Sequence, residues 1–236
     1  MEQVFGRALL DYYHNTSPAP LFLHNNYGST EVMPVELFFR GPEDFPELET
    51  HALSLCCGRI LDVGAGVGSH ALYLQSQGKE VEALERCQAA CEIMRVRGVK
   101  KVIKADFFEY ANETERAGQK HFYDTILFMM NGIGLAENLE NVVFLLEQCR
   151  TLLKPGGQIL FDSSDLNYLY KDGTVAKPIG YYGEIGFQYE YKGLKSRPFG
   201  WVYVDQETMA SIARASGWDM QILFDDGEDQ YLARLI

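Results

Sequence analysis

The chain has 236 residues, 47% hydrophobic and 23% charged, with 33 acidic against 21 basic side chains and a formal charge of −12. That balance suits one large domain with appendages, and an acidic average surface repels phosphate backbones, so no nucleic-acid partner is expected. Apolar runs such as TILFMM fall far short of the ~20 residues of a membrane helix, and the five cysteines lack CxxC pairing, so a soluble, cytoplasmic protein without membrane partner or metal site is expected.

Residues 1–57 read as an N-terminal helical or lid segment. Val4, Phe5, Ala8, Leu9 and Tyr12 recur at helical spacing, a Pro-interrupted stretch TSPAPLFLHNNYGSTEVMP follows, and PEDFPELETHALSLCC predicts a second helix. From Gly58 short β-branched runs alternate with amphipathic ones: RILDVGAG, SHALYLQSQG, KEVEALER, QAACEIMRVRG and VKKVIKADFFEY. Such alternation predicts a parallel sheet covered by helices. YDTILFMM and QILFDSSD are further strands around the helix LENVVFLLEQCRTLL, and a helix plus a strand pair follow in DQETMASIARASG, WDMQILFDDG and DQYLARLI. The expected fold is α/β, a doubly wound seven-stranded Rossmann-like sheet over residues 58–236. Into it residues 183–204, GEIGFQYEYKGLKSRPFGWVYV, are inserted as an aromatic β-hairpin. Its VYV and FQYEY runs offer an edge to a neighbouring subunit, which would make a homodimer.

The stretch LDVGAGVGSHAL places Gly64, Gly66 and Gly68 at alternate positions after Asp62. A dinucleotide turn wants G-x-G-x-x-G, and Ser69 occupies the third glycine position. The spacing instead resembles the first motif of class I S-adenosylmethionine-dependent methyltransferases. Glu85 ends the second strand, nineteen residues past Gly66, where a carboxylate can accept both hydroxyls of a vicinal diol. Asp106 ends the third strand, FMMNGIG ends the fourth, and LLKPGGQILFD looks like the family's post-core motif.

The resemblance implies S-adenosyl-L-methionine as cofactor and a methyl group passed directly, in line, to an acceptor. It implies that Asp62, Gly64, Ala65, Gly66 and Gly68 lie along the methionine and ribose, that Glu85 takes the ribose, that Asp106 takes the adenine amino group, and that Arg86 is also a cofactor-binding residue. Phe107 would cover the adenine, Met130 would line the pocket, and Arg40 in the lid would pair bidentately with the cofactor carboxylate. Asn131, just past a strand end, is expected to orient the methionine amine or the acceptor, and Asp162 and Tyr27 are the other catalytic candidates. The acceptor is expected to be a small molecule between Tyr27, Phe38 and Phe39 on one side and Tyr181, Tyr182, Phe187 and Tyr189 on the other. An acidic chain favours a neutral or cationic acceptor. A protein or nucleic-acid methyltransferase, a nicotinamide-dependent oxidoreductase and a non-catalytic binding module are the alternatives; MMNGIG lacks the D/N-P-P-Y/F signature of the first, and Ser69 with Asp106 disfavours the second.

Overall fold

The structure, a computed structural model, describes residues 2–118, 122–171 and 173–236. Helix α1 (Glu2–Tyr13) is followed by strands β1 (Leu21–Asn25) and β2 (Glu31–Met33) and by helix α2 (Glu47–Leu55). The alternating part runs β3 (Arg59–Val63), α3 (Ser69–Ser76), β4 (Glu80–Glu85), α4 (Gln88–Arg97), β5 (Val102–Lys104), α5 (Phe107–Arg116), β6 (Tyr123–Phe128), α6 (Leu139–Leu152) and β7 (Leu153–Ser164). Strands β8 (Glu184–Tyr191), β9 (Leu194–Lys195) and β10 (Phe199–Val202) precede α7 (Gln206–Ala215), β11 (Met220–Asp225) and β12 (Gln230–Leu235).

The larger sheet has seven strands in the order β11-β12-β7-β6-β3-β4-β5, as the alternation predicts. Strands β5, β4, β3, β6 and β7 are parallel, and β12 runs antiparallel to both β7 and β11. Near-continuous apolar runs, such as ILDV with Asp62 as its one charged residue and TILF, suit strands covered on both faces. One covering layer brings Leu145, Leu146 and Cys149 of α6 against Phe161, and the other brings Leu53, Leu74 and Met94 against Ile60 and Leu160. Side-chain oxygens of Asp106, Asn138 and Asp205 accept from backbone N–H groups in the first turns of α5, α6 and α7 and fix where these helices begin. Helix α5 is an addition to the sequence reading, because its opening FFEY looks strand-like when read with the apolar run before it. Strand order reverses between β3 and β6, and ligands of such sheets lie beyond the strand carboxyl ends at that reversal.

A second, antiparallel sheet has the order β10-β8-β1-β2, with β9 also on β8. Leu21 pairs with Tyr191 and Phe22 with Glu190, so the N-terminal segment, read as helix and loop, supplies two strands. The hairpin arms are β8 and β10, and β8 is an interior strand. The expected intersubunit pairing through FQYEY is therefore corrected: β1 takes one edge of β8, while β9 and β10 take the other. Helix α1 lies against α4 at Gly6, where a Cβ would stand 2.9 Å from that of Ala89. Among the described residues no helix is long and apolar enough to cross a membrane.

Candidate functional site

Between the carboxyl ends of β3 to β6 and the inner face of the second sheet lies a cavity of about 770 Å³, closed above by Glu2 and Phe5 of α1 and by Leu37, Phe38 and Arg40. In an open depression of about 570 Å³ at the amino ends of the strands, Arg59 is paired with Glu82 and Lys154 with Asp124. The chemistry-bearing residues line the first cavity.

The three glycines divide their work. Gly64 and Gly66 line the cavity in left-handed conformation, φ 70° and 56°, and a Cβ on Gly64 would meet no atom within 4 Å. Their bare backbone leaves that space to a ligand. Gly68, also left-handed at φ 86°, does not line the cavity; its Cβ would stand 2.7 Å from Val99 Cγ2 and 3.0 Å from Met94 Cγ. It lets α3 begin against the end of α4. Gly68→Ala is accordingly expected to cost roughly 2–4 kcal/mol of stability, from left-handed strain and overpacking. Denaturant unfolding checks this, and an unchanged midpoint would remove the packing role.

Glu85, 8% exposed, accepts from the Gly66 N–H at 3.0 Å through Oε2 and from the Cys87 N–H at 2.7 Å through Oε1. Burial pushes its carboxyl up, and these amides pull it back. Each oxygen keeps lone-pair capacity toward the cavity. Asp106 accepts from the Phe108 N–H at 2.9 Å and faces Arg86 at 3.7 Å, whose Nε also donates to Glu2 of α1 at 3.1 Å. Phe107 joins the cavity wall while its ring meets Phe108 and Phe128 edge-on. At the floor Asp62 is buried, and its Oδ2 has no hydrogen-bond partner among the described residues. Burial pushes its carboxyl up to about 6, against the pull of His70 and the Ala71 amide.

Arg40 lines the cavity, but its Nη2 lies 2.6 Å from Glu49 Oε1 and its Nε donates to the Leu37 carbonyl. Sequence alone assigned this guanidinium to a ligand carboxylate; the structure gives it a buried partner within the chain. The other oxygen of Glu49 lies 2.8 Å from His70 Nε2. Burial favours neutral forms of both, yet their mutual contact prevails, holding Glu49 below and His70 above their ordinary values.

None of the three catalytic candidates lines the cavity. Tyr27 donates to Glu31 at 2.7 Å, and burial followed by that carboxylate raises its phenol far from any role as a base. Asn131 turns its side chain to Ser164 Oγ at 3.0 Å, and its backbone N–H donates to Asp162 Oδ2 at 2.9 Å. Asp162 is buried behind that turn. Met130, in contrast, is on the wall as expected, together with Ala65.

The wall formed by the second sheet is aromatic. Phe187, Tyr189, Phe199, Trp201 and Tyr203 line it, and Tyr189 stacks on Phe5 with ring centroids 5.4 Å apart. Phe38, Phe187 and Tyr189 were expected here; Tyr27, Phe39, Tyr181 and Tyr182 are not on this wall. Phe5, Phe199, Trp201, Tyr203 and Arg197 were missed, although strand alternation in FGWVY was a signal for all three of its aromatics.

A family model described as a methyltransferase domain matches residues 34–221. A solved S-adenosylmethionine-dependent methyltransferase from Bacteroides fragilis, in complex with S-adenosyl-L-homocysteine, is 38% identical over 100% of this chain and 94% of its own, with TM-score 0.89. The ubiquinone biosynthesis O-methyltransferase of Vibrio cholerae is 26% identical over 109 residues, 46% of this chain and 43% of its own length. That of Paraburkholderia phymatum is 25% identical over 171 residues, covering 72% and 68%. The first curated relatives are thus matched over less than half their length. CcbJ methyltransferase from Streptomyces caelestis, at 14% identity over 82% of this chain and 93% of its own with TM-score 0.58, shares the fold.

Proposed function

The chain belongs to the methyltransferase-domain family, and from that premise we propose that it transfers the methyl group of S-adenosyl-L-methionine to a small-molecule acceptor. The observation that carries this reading is one cavity with two unlike walls. One is bare glycine backbone with the carboxylates Asp62, Glu85 and Asp106, and the other is the aromatic face of the second sheet. The residues fit the cofactor: Asp62 Oδ2 is a buried acceptor in want of a cation such as an ammonium, Gly64 leaves open space, and Glu85 is fixed by two amides so that it can take a diol.

When bound, the cofactor supplies an activated methyl on a sulfonium, leaving as a neutral thioether. The chain's work is then to bind, align and keep water out. Asp62, Gly64, Ala65 and Gly66 hold the methionine and ribose end, Glu85 the ribose hydroxyls, Asp106 with Arg86 and Phe107 the adenine, and Met130 borders the methyl. Arg40 acts through Glu49, orienting His70 at the cavity edge. The aromatic wall holds the acceptor, with Tyr189 and Tyr203 as its polar points. Burial raises both phenols, so they stay protonated and orient an acceptor atom without removing a proton. The relatives named for ubiquinone biosynthesis support a small acceptor rather than a macromolecule. The acidic charge of −12 argues against nucleic acid, and five free cysteines suit the cytoplasm. A second copy that paired with the antiparallel sheet would take its β2 or β10 edge, since β8 is enclosed.

The test is to incubate the protein with methyl-labelled donor and separate small-molecule, protein and nucleic-acid fractions of a cell extract. Label in the small-molecule fraction is expected; label confined to macromolecules overturns the acceptor class. Glu85→Ala is expected to lose charged hydrogen bonds worth roughly 1.5–3 kcal/mol, tenfold or more in S-adenosylhomocysteine affinity by calorimetry. Parent-like affinity would refute its role.

A further inference from the structure

Met130 and Asn131 are consecutive non-glycine residues in left-handed conformation, φ 60° and 55°, immediately after β6 and on the edge of the cavity. A left-handed conformation is strained for a residue with a Cβ, and a consecutive pair persists only where the surroundings over-determine it. Three contacts do so here. Asp162 Oδ2 of β7 accepts from the Asn131 N–H at 2.9 Å, Ser164 Oγ donates to Asn131 Oδ1 at 3.0 Å, and Trp201 Nε1 of β10 donates to the Asn131 carbonyl at 3.1 Å. Gly134 makes room for the indole, since a Cβ there would stand 2.0 Å from Nε1. The corner is therefore tied to both sheets. Its flanks Met130 and Gly132 line the cavity on the side assigned to the cofactor, and Trp201 lines it on the side assigned to the acceptor.

We propose that Asp162 is a positioning residue, which with Ser164 and Trp201 clamps the Met130–Asn131 corner and thereby holds the cofactor floor and the acceptor wall as one unit. This rests on the reading of the cavity as the methyl-donor site. Asp162 is kept at a cost that packing alone does not require: its Oδ1 has no hydrogen-bond partner among the described residues, and burial, with Glu49 adding to it, raises the carboxyl against the Asn131 amide and His70. A carboxylate enclosed behind the wall has no path to an acceptor proton, yet its one hydrogen bond fixes the backbone at which Met130 turns into the cavity. Ser164 and Trp201 then leave Asn131 no free orientation.

The chain has two tryptophans, and Trp218 lies off the cavity against Arg150, so Trp218→Phe leaves Trp201 as the sole indole reporter. In that background, saturating S-adenosylhomocysteine is expected to change Trp201 emission. Asp162→Ala is expected to weaken S-adenosylhomocysteine tenfold or more by calorimetry and to abolish the emission change. Asp162→Asn is expected to restore both, because an amide oxygen accepts the same N–H. Parent-like binding and emission in Asp162→Ala overturn the clamp, and so does an Asn variant as impaired as the Ala one. Should Asp162→Ala fail to fold, Trp201→Phe removes the indole N–H donor, and with it part of the ring, from the opposite side and is expected to weaken S-adenosylhomocysteine severalfold with unchanged far-ultraviolet dichroism; unaltered affinity there overturns the clamp. Absence of S-adenosylhomocysteine binding by the parent itself would instead overturn the cofactor reading on which the clamp rests.

Discussion

Gly66→Val is expected to lower S-adenosylhomocysteine affinity at least a hundredfold, roughly 2.7 kcal/mol, while the protein still folds. A β-branched residue at φ 56° is strained by about 1–3 kcal/mol, a tolerable loss for a domain of this size. Its Cβ would meet only Phe38 Cδ1 at 3.6 Å, an ordinary contact, so the protein offers the side chain no collision. The cavity beside Phe38 is where its two methyls must go, and there they exclude a ligand. Rotation of the peptide to relieve φ would also loosen the N–H that Glu85 holds at 3.0 Å. Calorimetric titration with S-adenosylhomocysteine, beside a far-ultraviolet dichroism spectrum, decides it: parent-like affinity in a folded variant removes the glycine loop from the site. Gly68→Ala should behave in the opposite way, losing stability through Val99 and Met94 while its cavity wall stays intact.

That contrast bears on what the sequence could reveal. All three glycines look alike in DVGAGVGSH, and the spacing identified the turn without separating the two that line the cavity from the one that seats a helix. The separation depends on Val99 and Met94, about thirty residues on, which no local pattern brings to Gly68. The larger sheet was legible because each of its parts is local: apolar runs such as ILDV and TILF, amphipathic stretches between them, and strand-end carboxylates Glu85 and Asp106 in step with that alternation.

The second sheet was not legible for the same physical reason. Its central pairing joins Leu21–Asn25 to Phe187–Tyr191, and LFLHN between prolines and polar residues carries no mark of a partner so distant in sequence. Reading the hairpin as an appendage therefore hid both its shared edge with β1 and the interior place of β8. Side-chain direction was hidden too. Tyr27 and Trp201 are both aromatic residues in or beside the same sheet, but the turn after β1 sends Tyr27 to Glu31, whereas the register of β10 sends Trp201 to Asn131. Arg40 illustrates a third limit, since a guanidinium expected to meet a ligand carboxylate finds Glu49 nine residues later, once α2 has turned that side chain inward. Fold followed from periodicity, and cavity-lining backbone followed from motif. Side-chain partnership required the tertiary structure.

Asp62→Asn is expected to make the ligand-free protein more stable and the cofactor complex weaker, opposite effects from one atom. Burial sets the folded-state carboxyl at about 6 against an ordinary 3.8, and its Oδ2 has no partner among the described residues. Because the folded value lies above the unfolded one, ionisation is disfavoured by folding: stability falls as pH rises from 3.8 toward 6, and the penalty is complete above that. That gap, at roughly 1.4 kcal/mol per pH unit, bounds the penalty at about 3 kcal/mol. An asparagine, similar in shape and uncharged, escapes part of it, less whatever its own amide loses unpaired. At pH 8 the ligand-free Asn variant should therefore melt above the parent, and at pH 4 the advantage should largely vanish. With S-adenosylmethionine the order is expected to reverse, because a carboxylate at the cavity floor can compensate an ammonium and an amide cannot. A loss of roughly 1.5–3 kcal/mol corresponds to a tenfold to hundredfold rise in Kd. The parent's own affinity should fall as pH drops below about 6, where Asp62 takes a proton that a cationic ligand must displace, while the variant's affinity shows no such dependence on this group. Melting curves at the two pH values, with and without saturating ligand, contain the whole test. If the Asn variant gains as much melting temperature from S-adenosylmethionine at pH 8 as the parent does, Asp62 has no part in holding the cofactor, and its buried charge must be explained by the fold alone.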